Sequence, residues 1–381
     1  MYLLIAVLLI SCHLKSNKLS EKPIYSIPKP SYITKTDSIE WNAKISHFLD
    51  STLLKHKGYF NGSILIAKGG NILYEAYVGY SNFEKKVDTI TSDTPIHLAS
   101  ASKTFTAMAI LQLVEKKKLD LTDTITKFFP NLPYPCVTIK MLLCHRSGIP
   151  NYVHFLDQSG WDRSKFIENN NVLEILINQH PHASYPPNSH FEYSNTNYLL
   201  LALLIEKITG MSYPKYMKEY VFDPLGMENT FVYTEVDSAK ATRSFSDRGI
   251  AWGRDYMDHT YGDKNIYSTP RDLLKWDQIL YTDQFLSKSM LDLAYTPNSF
   301  EKKSFHNYGL GWRLLMLPNG KKIVYHFGRW HGNNAAFARI PDQDATIIIL
   351  GNRFSLYVYN VAHGCYNLFE TQSTNSEKEE D

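Results

Sequence analysis

Ile96-His97-Leu98-Ala99-Ser100-Ala101-Ser102-Lys103-Thr104-Phe105 is the stretch around which the chain is organised. From Ser102 to about Lys117 the apolar residues recur at helical spacing. Phe105, Met108, Ala109, Ile110, Leu111, Leu113 and Val114 form an apolar face, and Gln112, Glu115 and Lys116 lie outside it. The spacing predicts a helix with Ser100 at its N-terminus, where serine is a favoured cap. A nucleophile there gains from unpaired backbone N–H groups and from the positive end of the helix dipole, since both stabilise an oxyanion. Lys103 lies three residues on, so its side chain returns to the face of Ser100. A lysine buried against apolar walls tends to lose its proton, and a neutral amine can take one from a serine hydroxyl.

Ser-x-x-Lys alone is not distinctive. It occurs at Ser26 to Lys29, Ser100 to Lys103, Ser212 to Lys215 and Ser299 to Lys302. Pro28 and Pro214 interrupt two of these and argue against a regular helical turn from serine to lysine. Context from the rest of the chain singles out Ser100.

The chain has 381 residues, enough for two to three domains or one large two-part domain. Hydrophobic residues make up 44%, which supports a substantial core. The net charge of +2, with both signs mixed, gives no reason to expect nucleic acid as a partner.

Tyr2 to Ile10 is an unbroken apolar run, too short to span a bilayer as a helix but suited to a signal peptide. Leu9-Ile10-Ser11-Cys12 follows and resembles the lipobox of bacterial lipoproteins, although no Lys or Arg precedes the run. That resemblance implies lipidation of Cys12 and a location in the bacterial cell envelope, lipid-anchored on the periplasmic or outer surface. Residues 1–12 then form the signal peptide, 13–37 a tether, 38–370 the folded domain and 371–381 a charged, disordered tail. Cys136, Cys144 and Cys365 are left over. They make no disulfide framework and no metal spacing, and are read as buried small hydrophobes.

Along the chain, Ser38–Lys57 reads as an amphipathic helix. Ser63–Ala67 and Ile72–Val78 read as a hairpin around Gly69-Gly70-Asn71. Thr138–Cys144 is a short helix, 151–192 is loop-rich, and Tyr198–Ile205 belongs to a buried helix capped by Gly210. Met211–Val221 and Thr269–Leu280 are further helices, and 235–265 is irregular. Lys322–His326, Ala335–Ile340 and Thr346–Leu350 are strands, followed by a helix near Tyr357–Phe369. Strands at both ends with helices between them predict one sheet built from distant parts of the chain, an α+β arrangement with a helical insert.

Tyr193-Ser194-Asn195 sits just before the buried helix. A tyrosine hydroxyl there could carry a proton from Ser100 to a leaving group, and Asn195 could bond a substrate amide or Lys103. Ser100-Ala101-Ser102-Lys103, Tyr193-Ser194-Asn195 and His326-Phe327-Gly328 stand in the order of the three motifs of the serine β-lactamase and penicillin-binding superfamily, which the chain resembles over about residues 40–368. Leu142 to Gly148, Pro224 to Met227, and Ser268-Thr269 with Asp272-Leu273 add to the resemblance.

The resemblance implies an antiparallel sheet flanked by helices, plus an all-helical region inserted at approximately 120–265, with the site in the cleft between. It implies Ser100 as acylating nucleophile, Lys103 and Tyr193 as the acid–base pair, and Asn195, His326, Gly328 and Arg329 at the substrate. The oxyanion hole would be the backbone N–H groups of Ser100 and Arg329. No metal and no cofactor is implied, and the partner is a small-molecule or peptide substrate.

Three departures bear on the substrate. Pro187-Asn188 replaces the usual Pro-Gly, and asparagine tolerates positive φ. Gly262-Asp263-Lys264-Asn265 stands where a glycine-rich run is usual. His326 replaces the lysine of β-lactamases and looks more like DD-peptidases, D-aminopeptidases, D-amino-acid amidases and esterases. The expectation is therefore a serine hydrolase of amide or ester bonds, with His326 selecting substrate through its charge. A class C-like β-lactamase and a non-catalytic penicillin-binding receptor or scaffold are the alternatives. His180-Pro181-His182 has no Asp at metal-site spacing, and Gly-x-Ser-x-Gly is absent.

The lipid anchor is tested by Cys12→Ala. The variant is expected in the soluble fraction, without the acyl mass of the native protein. A variant that stays in the membrane with unchanged mass contradicts the assignment.

Overall fold

The computed structural model describes residues 22–54 and 60–369. Cys12 and the apolar run before it, residues 13–21 of the tether and the 371–381 tail lie outside the described residues. Strands in chain order are β1 (Gly62–Lys68), β2 (Asn71–Val78), β3 (Tyr80–Asn82), β4 (Val87–Thr89), β5 (Ile96–His97), β6 (Phe231–Val232), β7 (Ile266–Ser268), β8 (His306–Tyr308), β9 (Arg313–Met316), β10 (Lys322–Trp330), β11 (Asn333–Ile340) and β12 (Ala345–Gly351). Helices are α1 (Lys35–Leu49), α2 (Ser102–Glu115), α3 (Ile139–Leu143), α4 (Tyr152–Phe155), α5 (Asn169–Gln179), α6 (Asn195–Thr209), α7 (Tyr213–Met217), α8 (Pro270–Ile279), α9 (Lys288–Ala294) and α10 (Tyr357–Tyr366).

The main sheet is antiparallel, with seven strands in the order β2-β1-β12-β11-β10-β9-β8. As expected, it joins the two ends of the chain: β1 pairs with β12 from Gly62↔Gly351 to Lys68↔Ala345. The inner strands are buried on both faces, so they read as unbroken apolar runs. Their side chains still alternate. Ile64, Ile66, Ile347 and Ile349 join the core under α1 and α10, whereas Leu65, Ala67, Ile348 and Leu350 join the larger core under α2 and α6. A buried ion pair ties the sheet to α8: Arg339 of β11 donates from Nε to Asp277 Oδ1 at 2.5 Å, and Thr346 of β12 donates to Asp277 Oδ2 at 2.5 Å.

Helices α3 to α7 lie in the chain between β5 and β7. At their centre, α6 is buried from Thr196 to Ile205 and ends at Gly210 in the left-handed region (φ 70°). Asn188 has φ 65°, so asparagine does serve that turn. One feature of β10 shapes the cleft. Its pairing with β9 stops at Tyr325↔Arg313, but the strand runs on to Trp330, paired with β11 alone. The open edge beyond Tyr325 passes the Ser100 turn.

Several elements differ from expectation. Residues 169–179, expected as loop, form α5. Its asparagine-rich start hides a helix held by a capping box between Glu168 and Asn171. Strands β8 and β9 are only three and four residues long and show no alternation. The helix expected over Met211–Val221 is a five-residue α7 that passes into a π-turn. Cys144 and Cys365 are buried as expected, but Cys136 is exposed.

Candidate active site

The approach to Ser100 is built by pairing. Ile96 and His97 pair with Ser268 and Tyr267, and Leu98 N–H donates to Ile266 C=O at 2.8 Å. Ala99 then takes φ +47°, a left-handed conformation that costs an alanine about 1–2 kcal/mol. Its N–H donates to His97 Nδ1 at 3.0 Å. That nitrogen is therefore unprotonated, and Nε2–H donates to Asn265 Oδ1 at 2.8 Å. Burial pushes His97 down to about 4, so the ring stays neutral. Ser100 sits in a 3₁₀ turn, Ala99–Ala101, and α2 begins at Ser102. The expected capping role is not seen: the Ser100 hydroxyl faces Lys103, and no side chain caps the turn.

Lys103 is fully buried. Its Nζ lies 3.1 Å from Ser100 Oγ, 2.7 Å from Asn195 Oδ1 and 2.8 Å from the Asp263 carbonyl oxygen. Burial pushes its pKa down to about 7. The Asp263 charge opposes that shift and the Arg313 guanidinium adds to it. Asn195 is the first residue of α6, so the helix start fixes its position. The Tyr193 ring centroid is 4.9 Å from Lys103 Nζ and 4.3 Å from the ring of His145. His145 also has positive φ (55°) and accepts at Nδ1 from Ser194 N–H and from the Asn197 amide, holding the tyrosine motif against α6. The structure thus brings Ser100, Lys103, Tyr193 and Asn195 into one cluster.

His326 departs from expectation. It is 1% exposed, and burial, with the Arg313 and Lys103 charges, pushes it well below the usual histidine range. Nδ1 lies 2.7 Å from the Phe327 carbonyl oxygen, which can only accept, so Nδ1 carries the proton. Nε2 then accepts from Tyr308 O–H at 3.0 Å. No ring N–H remains for a substrate, and the ring stays uncharged at working pH. The expected charge selection at position 326 is corrected. Gly328 lies against the turn: a Cβ there would meet Leu98 C=O at 2.2 Å and Ser100 N at 2.8 Å. Arg329 follows with an exposed side chain.

Sequence reasoning missed His97, His145, Tyr308 and Arg313. The guanidinium of Arg313 lies 5.5 Å over the Tyr193 ring. His97 stands inside the decisive stretch. His145 stands inside the Leu142 to Gly148 segment, whereas Tyr308 and Arg313 carry no spacing signal, because only the folded sheet edge brings them to the site.

With this geometry in hand, comparison with known proteins is specific. The family model described as Beta-lactamase matches residues 43–363. The chain belongs to the Beta-lactamase family. It is 35% identical over 317 residues to penicillin-binding protein 4* of Bacillus subtilis, covering 79% of this chain and 70% of that one. It is 29% identical over 331 residues to protein flp of Staphylococcus aureus, covering 81% of this chain but only 63% of that longer one. Among solved structures, a penicillin-binding protein from Bacillus halodurans superposes with a TM-score of 0.75 at 24% identity, covering 85% of this chain and 98% of that one. D-amino acid amidase from Ochrobactrum anthropi does so at 0.69 and 24% identity, covering 87% and 98%. The protein is a serine hydrolase of this family.

Gly328→Ala tests the contact between strand and turn. The added methyl must part β10 from the Ser100 turn, and a misplacement of about 1 Å costs about 100-fold. The expected result is a folded protein that a fluorophosphonate labels at least about 100-fold more slowly. An unchanged labelling rate contradicts the packing.

Proposed function

We propose that the protein hydrolyses amide or ester bonds of the DD-peptidase, D-amino-acid amidase or esterase type, through an acyl-enzyme on Ser100. One observation carries the reading: how the Lys103 amine is surrounded. Asn195 Oδ1 and the Asp263 carbonyl are acceptors only. A neutral amine has two N–H bonds and one lone pair. With the two N–H groups spent on those oxygens, the lone pair is left for Ser100 Oγ, 3.1 Å away.

The steps follow. Ser100 passes its proton to Lys103 as Oγ bonds the substrate carbonyl carbon. The backbone N–H groups of Ser100 and Arg329 hold the oxyanion. The bond to the leaving group breaks as a proton reaches it through the Tyr193 hydroxyl, leaving the acyl group on Ser100. Water then attacks the ester, giving its proton back through Tyr193 and Lys103, and the acid leaves while Ser100 regains its hydrogen.

Arg313 bears on the substrate. It is a permanent cation near the Tyr193 ring, and His326 carries no charge. We therefore assign the attraction for a substrate carboxylate to Arg313. Small acyl-D-amino acid or peptide substrates with a free carboxylate on the leaving group fit that charge. The match to penicillin-binding protein 4* supports the same class. The lipid anchor at Cys12 and a place on the cell envelope complete the proposal, and they rest on residues 2–12 alone.

The test is a pH series. Lys103 works only without its proton, and burial sets its pKa at about 7. Activity is therefore absent well below that value and rises with pH through it. The ratio of kcat/KM for a carboxylate-ended substrate to that for a neutral ester should stay flat across this range, because neither Arg313 nor His326 changes charge. Arg313→Gln should lower that ratio at every pH. The neutral ester should keep its high-pH rate, with its rise moved to higher pH because the Arg313 charge no longer lowers the Lys103 pKa. A ratio that falls as pH rises through the range of an ordinary histidine would return the selection to His326.

A further inference from the structure

Lys264 occupies a position where the sequence departs from a glycine-rich run, and the chemistry above does not use it. It is 3% exposed, an uncommon place for an ammonium. Its Nζ donates to Tyr152 Oη at 2.5 Å and to Thr260 Oγ1, lies 3.7 Å from Asp263 Oδ2, and sits 4.7 Å over the Trp330 ring. Tyr152 in turn donates to Asp263 Oδ2 at 2.9 Å. Asp263 Oδ1 is buried and has no partner among the described residues.

Asp263 thus acts on Lys103 in two ways. Its backbone carbonyl takes one Lys103 N–H, which fixes the amine. Its buried carboxylate favours the protonated amine, which would disarm it. A buried carboxylate with nothing opposite would hold Lys103 charged. The cation opposite it is Lys264.

We propose that Lys264 is a positioning residue of the reaction: its ammonium, held on Tyr152 and facing Asp263, offsets the Asp263 carboxylate so that Lys103 meets Ser100 without its proton at neutral pH. The inference rests on the acyl-enzyme reading. Other groups facing Lys103 are Arg313 of β9, His326 of β10, His145 after α3, and Tyr193 and Tyr198 at α6. The two histidines are held neutral by burial, and Arg313 does not titrate. Burial pushes the Lys264 pKa down and the Lys103 charge adds to that, while Asp263, Asp258 and Asp255 favour the ammonium. His97 of β5 faces Lys264 as a neutral ring.

The experiment measures the rate of Ser100 labelling by an uncharged alkyl fluorophosphonate from pH 5 to 10, with the labelled residue identified by mass spectrometry. In Lys264→Met, Asp263 acts on Lys103 without the facing ammonium, and only burial and Arg313 oppose it. The rise of the rate with pH should move up by about one unit, which is about tenfold slower labelling near pH 6.5 and convergence with wild type above pH 9. Asp263→Asn alone should move the rise down. The double variant should return it close to wild type. Should Lys264→Met fail to fold, Lys264→Gln, which keeps a hydrogen-bond donor without the charge, decides in its place: a rise moved up supports the proposal and an unmoved rise overturns it. Equal slowing at every pH in folded Lys264→Met makes the residue a packing element and also overturns it. Wild type labelled away from Ser100, or not at all, defeats the acyl-enzyme reading instead.

Discussion

The structure depends on one buried amine. Lys103 Nζ is fixed by oxygens from three separated parts of the chain: Ser100 on its own turn, Asn195 at the start of α6, and Asp263 in the segment leading to β7. Each is placed by something larger. The turn is pinned between β7 and the open edge of β10, α6 is the buried axis of the helical insert, and the Asp263 segment is anchored through Tyr152 on α4. Burying an ammonium without a partner charge is expensive, so the amine yields its proton, and the fold accepts that outcome as chemistry.

Charge around that amine follows the same logic. Protein interiors make long-range electrostatics strong, so every ionisable group near Lys103 must either be silent or be compensated. His97, His145 and His326 are silenced by burial. Arg313 stays charged because guanidinium does not give up its proton. The sheet at large follows another rule: its buried ion pair between Arg339 and Asp277 is fully bonded, tying α8 to β11 and β12, and takes no part in the chemistry.

Much of the fold was legible because its signals are local. The 3.6-residue periodicity after Ser102, the apolar runs of β1, β11 and β12, and Gly210 after a buried helix are each carried by adjacent residues. What escaped was α5, whose asparagine-rich start is a poor helix former, and β8 and β9, too short to alternate. In the site, Ser100, Lys103, Tyr193 and Asn195 were readable from motif order, and the structure gathers them. His326 was readable in position but not in state. Its neutrality comes from burial and from the Arg313 and Lys103 charges, and its Nε2 is taken up by Tyr308, 18 residues away on a strand that the sequence did not announce. Arg313 was invisible for the same reason.

The account stands or falls on where the acyl group goes. The direct measurement is peptide mapping by mass spectrometry after brief exposure to a slowly released acylating substrate, a β-lactam or a p-nitrophenyl ester, in wild type and in Ser100→Ala. The account predicts the acyl mass on the peptide carrying Ser100 and Lys103. It predicts no adduct in Ser100→Ala, with turnover lower by several orders of magnitude, up to roughly 10⁶-fold. An acyl group found on another residue, or turnover that survives in Ser100→Ala, contradicts it.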